Sequence, residues 1–258
     1  MFFRRFVVTI FSFLLVVSCF FLTFADVITN NQSEMKKTIA LLALLISCSC
    51  AIAQKKSVSI LGDSYSTYEG YMTPSTNELW YYGKATPQTT DVSNVRQTWW
   101  YQLIKQKNWR LCVNNSYSGA TISYTGYAGN DYSARSFNTR ADNLGSPDVI
   151  LIFGATNDSW AGTPVGDYKY ENITYGDLYT FRPAMARLLD YVTTRYVGSE
   201  VYFLINDGLR PDITESIKTV CRHYDVPFVE LHDIHKISGH PSVQGMTQIA
   251  QQVAAAVK

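Results

Sequence analysis

The residues best suited to chemistry stand directly after short apolar runs. The run from Val58 to Leu61 ends in Gly62-Asp63-Ser64. A glycine followed by a small hydroxyl residue at the carboxyl end of a buried strand is typical of the reactive edge of an open α/β sheet. Ser64 is therefore a candidate nucleophile, although these three residues alone fit equally well a simple turn with an Asp or Ser helix cap.

Other polar residues follow later apolar runs in the same way. Gly119 lies in a polar loop after the second run, where a glycine can bring a backbone N–H close to a ligand because it has no Cβ. Asn157 and Asp158 follow residues 148–153, the clearest buried run in the chain. The segment 232–242 carries three of the four histidines.

The elements that must position these residues alternate along the chain. Short apolar runs indicate five strands, and segments with helical spacing of apolar residues lie between them. Such alternation predicts a parallel sheet covered by helices on both faces. The strands are expected near 58–61, 111–113, 148–153, 201–205 and 227–231, and the helices within 95–108, 133–144, 177–196, 212–224 and 243–257.

These blocks together resemble the SGNH, or GDSL, hydrolases. In chain order, Gly62-Asp63-Ser64 resembles the first block of that family, Gly119 the second, Asn157-Asp158 the third and His240-Pro241 the last. The resemblance spans nearly the whole chain after residue 53. It implies a flavodoxin-like three-layer α/β/α sandwich with a five-stranded parallel sheet, and hydrolysis of esters through an acyl-enzyme.

The resemblance also implies a role for each residue. Ser64 is the nucleophile and needs a base, for which His240 is the best candidate because imidazole titrates near neutral pH. The backbone N–H groups of Ser64 and Gly119 and the side-chain amide of Asn157 form an oxyanion hole, each donor contributing about 3 kcal/mol. No cofactor is expected, and no Cys/His spacing indicates a metal site.

Two positions depart from the family pattern. Ala155 stands where the third block usually has glycine, and Ile237 stands where the acid that orients the histidine is usually found. Three outcomes follow for His240: its other ring nitrogen donates to a backbone carbonyl such as that of Ile237, a carboxylate from Asp233 or Glu230 substitutes, or the protein is poorly active. A Ser-His dyad is favoured, because no nearby carboxylate has the expected spacing.

Residues 67–94 have neither helical nor alternating periodicity and are predicted to form a long loop over the reactive edge of the sheet. Its aromatic side chains either form a platform for sugar rings or acyl groups, or provide the small core that a long loop needs. Tyr65, Trp80 and Asp158 are the candidate substrate contacts.

The first 53 residues read as a leader. Residues 6–24 are almost uninterruptedly apolar, but a second start at Met35 precedes two lysines, an apolar stretch and small residues, which is the order of a secretory signal. Met35 is the expected true start, with cleavage after Ala53. The alternative is a lipoprotein box with lipidation of Cys48. Either route exports the protein to the periplasm or the exterior.

The remaining residues, 54–258, are expected to form a single domain without a membrane span. The leader contains four of the 22 basic and two of the 21 acidic residues, which leaves 18 basic against 19 acidic. This near-neutral balance, without a basic stretch, argues against a nucleic-acid partner. Cys112 and Cys221 are expected to be free thiols rather than a disulfide.

Export, neutral charge and the aromatic loop favour an esterase that removes small acyl groups, above all acetyl, from a carbohydrate ester. Two alternatives stay open. One is a non-catalytic glycan-binding protein that has kept the fold. The other is a lipid-ester or thioester hydrolase in which Trp80, Trp99 and Trp100 line an acyl pocket.

Overall fold

The computed structural model describes residues 36–42, 55–84 and 89–258. The chain divides into two units, Met1–Gln54 and Lys55–Lys258. In the first unit, residues 36–42 are helical. The predictions for the Met35 start, cleavage after Ala53 and lipidation of Cys48 fall on residues outside those described. Within the described residues, no helix combines the length and the apolar character that a membrane crossing requires.

The second unit is built on a five-stranded sheet in which every neighbouring pair is parallel. The strand order β2-β1-β3-β4-β5 is the flavodoxin-like order of a doubly wound sheet. The predicted α/β fold with five parallel strands is thereby confirmed. The strands are β1 (Ser57–Gly62), β2 (Arg110–Asn114), β3 (Val149–Gly154), β4 (Glu200–Ile205) and β5 (Phe228–Glu230).

Helices cover both faces of this sheet. Residues 95–108 were expected as one helix, but Thr98 is extended (φ −68°, ψ 146°) and separates a 3₁₀ turn from the α-helix that follows. The longer helices begin with recognisable signals, such as the proline at the first position of Pro211–His223. The α-helices are α1 (Trp99–Gln106), α2 (Phe137–Arg140), α3 (Thr156–Trp160), α4 (Phe181–Arg195), α5 (Pro211–His223) and α6 (Val243–Ala256).

Strand β3 shows why the sheet needs both layers. All six of its residues are buried, and successive side chains point to opposite faces. Val149, Leu151 and Phe153 pack in the cluster that contains α1 and α6, whereas Ile150 and Ile152 pack in the cluster that contains α4 and α5. A strand buried on both faces is continuously apolar, which is the pattern read from the sequence.

Two short strands, β6 (Lys236–Ile237) and β7 (His240–Pro241), form an antiparallel hairpin beyond the main sheet. The sequence had predicted only a loop here. Both cysteines of the second unit are free thiols, as expected: Cys221 is buried on α5 and Cys112 is partly buried on β2.

Candidate active site

The turn after β1 holds Ser64. Asp63 caps a 3₁₀ turn, Ser64–Ser66, by accepting a hydrogen bond from the backbone N–H of Tyr65 at 3.0 Å. The preceding Gly62 is required by space, since a Cβ there would lie 2.5 Å from Ser116 Oγ. The strand end therefore presents the Ser64 hydroxyl at the carboxyl edge of the sheet, and Asp63 holds the turn.

His240 reaches Ser64 from the β6–β7 hairpin. Ser238 and Gly239 connect the two strands with positive φ values of 48° and 76°, the geometry of a tight two-residue hairpin turn. His240 Nε2 lies 2.9 Å from Ser64 Oγ, and Nδ1 lies 3.1 Å from the carbonyl oxygen of Ser238. A carbonyl can only accept, so Nδ1 carries the proton and Nε2 is free to accept from the serine hydroxyl.

The group that orients His240 is thus a backbone carbonyl, and it belongs to Ser238 rather than to Ile237. The two carboxylates considered from the sequence are placed elsewhere. Glu230 forms an ion pair with Lys218 at 2.7 Å, and Asp233 is exposed. Glu230 is the last residue of β5 and Asp233 lies in the connection after it, so neither belongs to the hairpin turn that contacts Nδ1.

Burial controls the protonation of His240. The residue is only 7% exposed, and this desolvation lowers the pKa of its imidazole to about 4. The hydrogen bond to Ser238 opposes the shift, and the positive charge of Lys236 adds to it. At neutral pH the ring is therefore uncharged, which is the form that can accept the proton of Ser64.

Three N–H donors are the candidates for the oxyanion hole predicted beside Ser64. Within the described part of the chain, the backbone N–H groups of Ser64 and Gly119 donate to no other group. Gly119 has φ +76°, a conformation that favours glycine. Asn157 Nδ2 donates one hydrogen to the Ala120 carbonyl at 3.0 Å, and its Oδ1 accepts from the Tyr127 hydroxyl at 2.8 Å. These bonds fix the amide with its second hydrogen available.

Ala155, the residue at the usual glycine position, precedes α3 with φ +73°. This left-handed conformation explains why glycine suits the position, and it costs alanine about 1 to 2 kcal/mol. The strain leaves the backbone path intact, because α3 still delivers Asn157 to the site.

The three predicted substrate contacts differ in how deeply they are buried. Tyr65 is fully buried, and its hydroxyl donates to the Gly239 carbonyl at 2.5 Å, so it packs beneath the hairpin instead of facing a substrate. Asp158 is also fully buried and accepts from the backbone N–H groups of Ile122 and Ser123. Strand-end polarity does not separate a side chain that faces solvent from one that ties loops together, and in this structure both side chains are of the second kind. Trp80 is partly buried and lies against His240.

Sequence reasoning missed several residues around the site. Arg140 on α2 is 7% exposed and donates to the carbonyls of Gly62 (3.1 Å) and Asn115, so it ties together the loops after β1 and β2. Burial raises the pKa of Asp63 to about 7 and lowers that of Arg140 to about 9, and the opposite charges of the two side chains oppose both shifts. A lone arginine in a four-residue helix carries no sequence signal for this position.

Trp160, at the end of α3, was also missed. Its ring lies 5.9 Å from that of His240 at 73°, and its side chain is 45% exposed. It thus places an accessible aromatic surface beside the Ser64–His240 pair. Within the described residues, no group of three or more His, Cys, Asp and Glu side chains is arranged to hold a metal ion.

The family described as GDSL-like lipase/acylhydrolase matches residues 56–257. The chain belongs to the GDSL-like lipase/acylhydrolase family. The resemblance identified from the sequence blocks is therefore confirmed, and the family is one of ester hydrolases.

Solved structures of this GDSL-like family resemble the chain closely. A GDSL-like lipase from Bacteroides ovatus shares 60% identity with a TM-score of 0.77, covering 79% of this chain and 98% of its own. A GDSL-like lipase from Bacteroides uniformis shares 49% identity with a TM-score of 0.76, covering 79% and 95%.

A more distant structure shares the fold alone. It is a carbohydrate acetylesterase from Sinorhizobium meliloti, with 18% identity and a TM-score of 0.51 over 78% of this chain and 98% of its own. No curated protein matches the chain significantly.

Proposed function

We propose that this GDSL-like protein is a serine esterase that works through an acyl-enzyme on Ser64. The observation that carries the proposal is the 2.9 Å contact between Ser64 Oγ and His240 Nε2, with the Nδ1 proton held by the Ser238 carbonyl. A serine hydroxyl whose neighbouring base is in the correct tautomer is an activated nucleophile.

The reaction proceeds in two steps, formation of the acyl-enzyme and its hydrolysis. In the first, Ser64 Oγ attacks the ester carbonyl while His240 Nε2 takes the proton of the serine hydroxyl. The tetrahedral oxyanion then accepts hydrogen bonds from the N–H groups of Ser64 and Gly119 and from the Asn157 amide. Collapse breaks the ester C–O bond, and the imidazolium returns the proton to the departing alcohol. In the second step water attacks the acyl-enzyme, His240 takes its proton, and Ser64 leaves with that proton as the free acid is released.

The substrate that fits best is a small acyl ester, chiefly acetyl, on a carbohydrate. The exposed ring of Trp160 beside His240 supports this, since aromatic faces pack well against sugar rings. A carbohydrate acetylesterase also has this fold. The leader pattern supports export, where glycan esters are met.

A lipid-ester or thioester substrate is less favoured. This alternative placed Trp80, Trp99 and Trp100 along an acyl pocket, but Trp99 and Trp100 are almost completely buried. The Trp99 indole N–H donates to Ser66 Oγ at 3.2 Å, and its ring packs edge-on against Phe153. These two side chains belong to the core beneath the turn.

The test of the reaction is hydrolysis of p-nitrophenyl acetate by the wild-type protein and by Ser64→Ala. The variant is expected to lose at least about 10³-fold in kcat/KM, because both activated nucleophile and acyl-enzyme are lost. Activity indifferent to Ser64 would refute the proposal. A wild-type protein that bound glycans without hydrolysing esters would instead support the non-catalytic alternative.

The substrate class is tested with acetylated oligosaccharides against p-nitrophenyl esters of increasing chain length. Trp160→Ala is expected to raise KM for acetylated sugars several-fold, while KM for ethyl acetate, which has no ring to pack, is unchanged. Equal effects on both esters, or a preference for long acyl chains, would contradict the carbohydrate assignment.

A further inference from the structure

The imidazole of His240 is covered on one face by an indole. The ring centroids of Trp80 and His240 are 3.5 Å apart, and their planes differ by only 7°. The other aromatic neighbours meet the imidazole differently, Tyr65 at 5.3 Å and 60° and Trp160 at 5.9 Å and 73°. Trp80 alone among these three is stacked face to face, so it restricts rotation and tilt of the ring that must reach Ser64.

The backbone around Trp80 is anchored to the nucleophile turn. The Trp80 N–H donates to Thr67 Oγ1 at 2.9 Å, and the Thr67 hydroxyl donates to the Ser64 carbonyl at 3.0 Å. The buried indole N–H has no hydrogen-bond partner among the described residues. The indole is therefore placed by its backbone and by the stack, and not by a bond of its own ring.

A second anchor joins the same segment to the hairpin. Tyr81, the next residue, is buried, and its hydroxyl donates to the carbonyl of Pro241 at 2.8 Å. Residues 80 and 81 thus form hydrogen bonds to Thr67, three residues after Ser64, and to Pro241, the residue after His240. This arrangement fixes the indole relative to both reacting side chains.

The chemistry at His240 indicates a role for the indole of Trp80. During acyl transfer the ring becomes a cation, and burial disfavours that charge. The usual carboxylate is missing, because Ile237 stands at its position, and Nδ1 has only the neutral Ser238 carbonyl. The face of an indole carries negative electrostatic potential, and among the aromatic side chains it attracts a cation most strongly.

We propose that Trp80 is the positioning residue for His240, holding the plane of the imidazole and stabilising the imidazolium where family members use an acid. The inference rests on the proposed esterase function. It assigns Trp80 a role different from the sugar or acyl platform considered from the sequence, because one face of the indole is already occupied by His240.

The kinetic test compares Trp80→Leu and Trp80→Phe on p-nitrophenyl acetate. Trp80→Leu is expected to lower kcat about 30-fold with little change in KM, because a desolvated cation–π contact is lost. Trp80→Phe keeps an aromatic face and is expected to recover most of that loss. The matched control is Tyr82→Leu, an exposed aromatic of the same segment (47% exposed), which is expected to retain wild-type kcat.

Three outcomes would overturn the inference. A loss confined to KM would make Trp80 a substrate platform. Equal losses for Leu and Phe, accompanied by a lower melting temperature, would make its role one of packing only. An unchanged kcat in Trp80→Leu would remove any role at His240.

An activity-independent measurement separates failure of this inference from failure of the esterase proposal. In Ser64→Ala protein, NMR should show the ring protons of His240 shifted upfield by the indole, and Trp80→Leu should remove that shift. If the wild-type protein lacks esterase activity but the shift is present, the function fails while the stack stands. If the shift is absent, the positioning role fails whatever the activity.

Discussion

Acidification is expected to inhibit the esterase reaction only near pH 4. His240 is a base only when neutral, and burial lowers the pKa of its imidazole to about 4, from an ordinary 6.5. At pH 5 about 90% of the protein then has a neutral His240, whereas an ordinary imidazole would be about 3% neutral. The value of kcat/KM at pH 5 is therefore expected to be about 30-fold higher than an unperturbed histidine would allow.

The assay is kcat/KM for p-nitrophenyl acetate between pH 3.5 and 8, read at the isosbestic wavelength of p-nitrophenol. Circular dichroism at each pH establishes that the protein is folded. This control is needed because the unfolded chain binds a proton at His240 near pH 6.5 and the folded chain does not. The stability contributed by His240 is thus present above pH 6.5 and lost as the pH falls towards 4.

Two buried carboxyls act on stability in the opposite sense. Burial raises the pKa of Asp63 to about 7 and that of Asp158 to about 6, so their contribution is lost as the pH rises from about 4 through these values. A kinetic midpoint near pH 6.5 in protein that is still folded would refute the reasoning about His240, because it would mean that the pKa of the imidazole is not lowered.

Three further changes have expected outcomes. Asn157→Ala removes one oxyanion donor and should lower kcat about 10²- to 10³-fold at similar KM in the same ester assay; a loss below tenfold would exclude that role. Ile237→Asp places a carboxylate directly opposite His240 in the hairpin, on the same face, and should move the acid midpoint of kcat/KM up by about 1 to 3 pH units. An unmoved midpoint would show that the carboxylate does not reach the ring. Ser242→Ala removes the N-cap of α6, where Oγ accepts from Gly245 N–H at 3.1 Å, and should lower the free energy of unfolding in urea by about 1 kcal/mol; unchanged stability would mean the cap is replaced by solvent.

The layered fold was predictable because strand patterns are local. Continuous apolar runs such as Val149–Gly154 are buried on both faces, and their alternation with helices leaves few topologies for a chain of this length. The order of the four family blocks then indicated which strand ends meet. The Ser64, Gly119, Asn157 and His240 positions follow from that order, since parallel strands end at one edge of the sheet.

The surroundings of His240 were not predictable in the same way. Its Nδ1 partner depends on the two-residue turn of a hairpin that the sequence showed only as a loop, and Ser238 carries no sequence signal for an orienting role. The contributions of Arg140 and Tyr127 are contacts between segments distant in sequence. Such contacts depend on where loops cross, which propensity and periodicity do not encode.

The absence of an acid at position 237 changes the pKa of the base, His240. A carboxylate beside the ring would stabilise the imidazolium and raise the pKa of His240, giving a stronger base that is protonated at mildly acidic pH. A carbonyl and a stacked indole leave a weaker base that remains neutral over a wider range. Because proton transfer weakens as the base weakens, the proposed dyad is expected to exchange some rate at neutral pH for activity in acid. We therefore expect the hairpin that presents His240, more than the strand end that presents Ser64, to set the working pH of the proposed esterase.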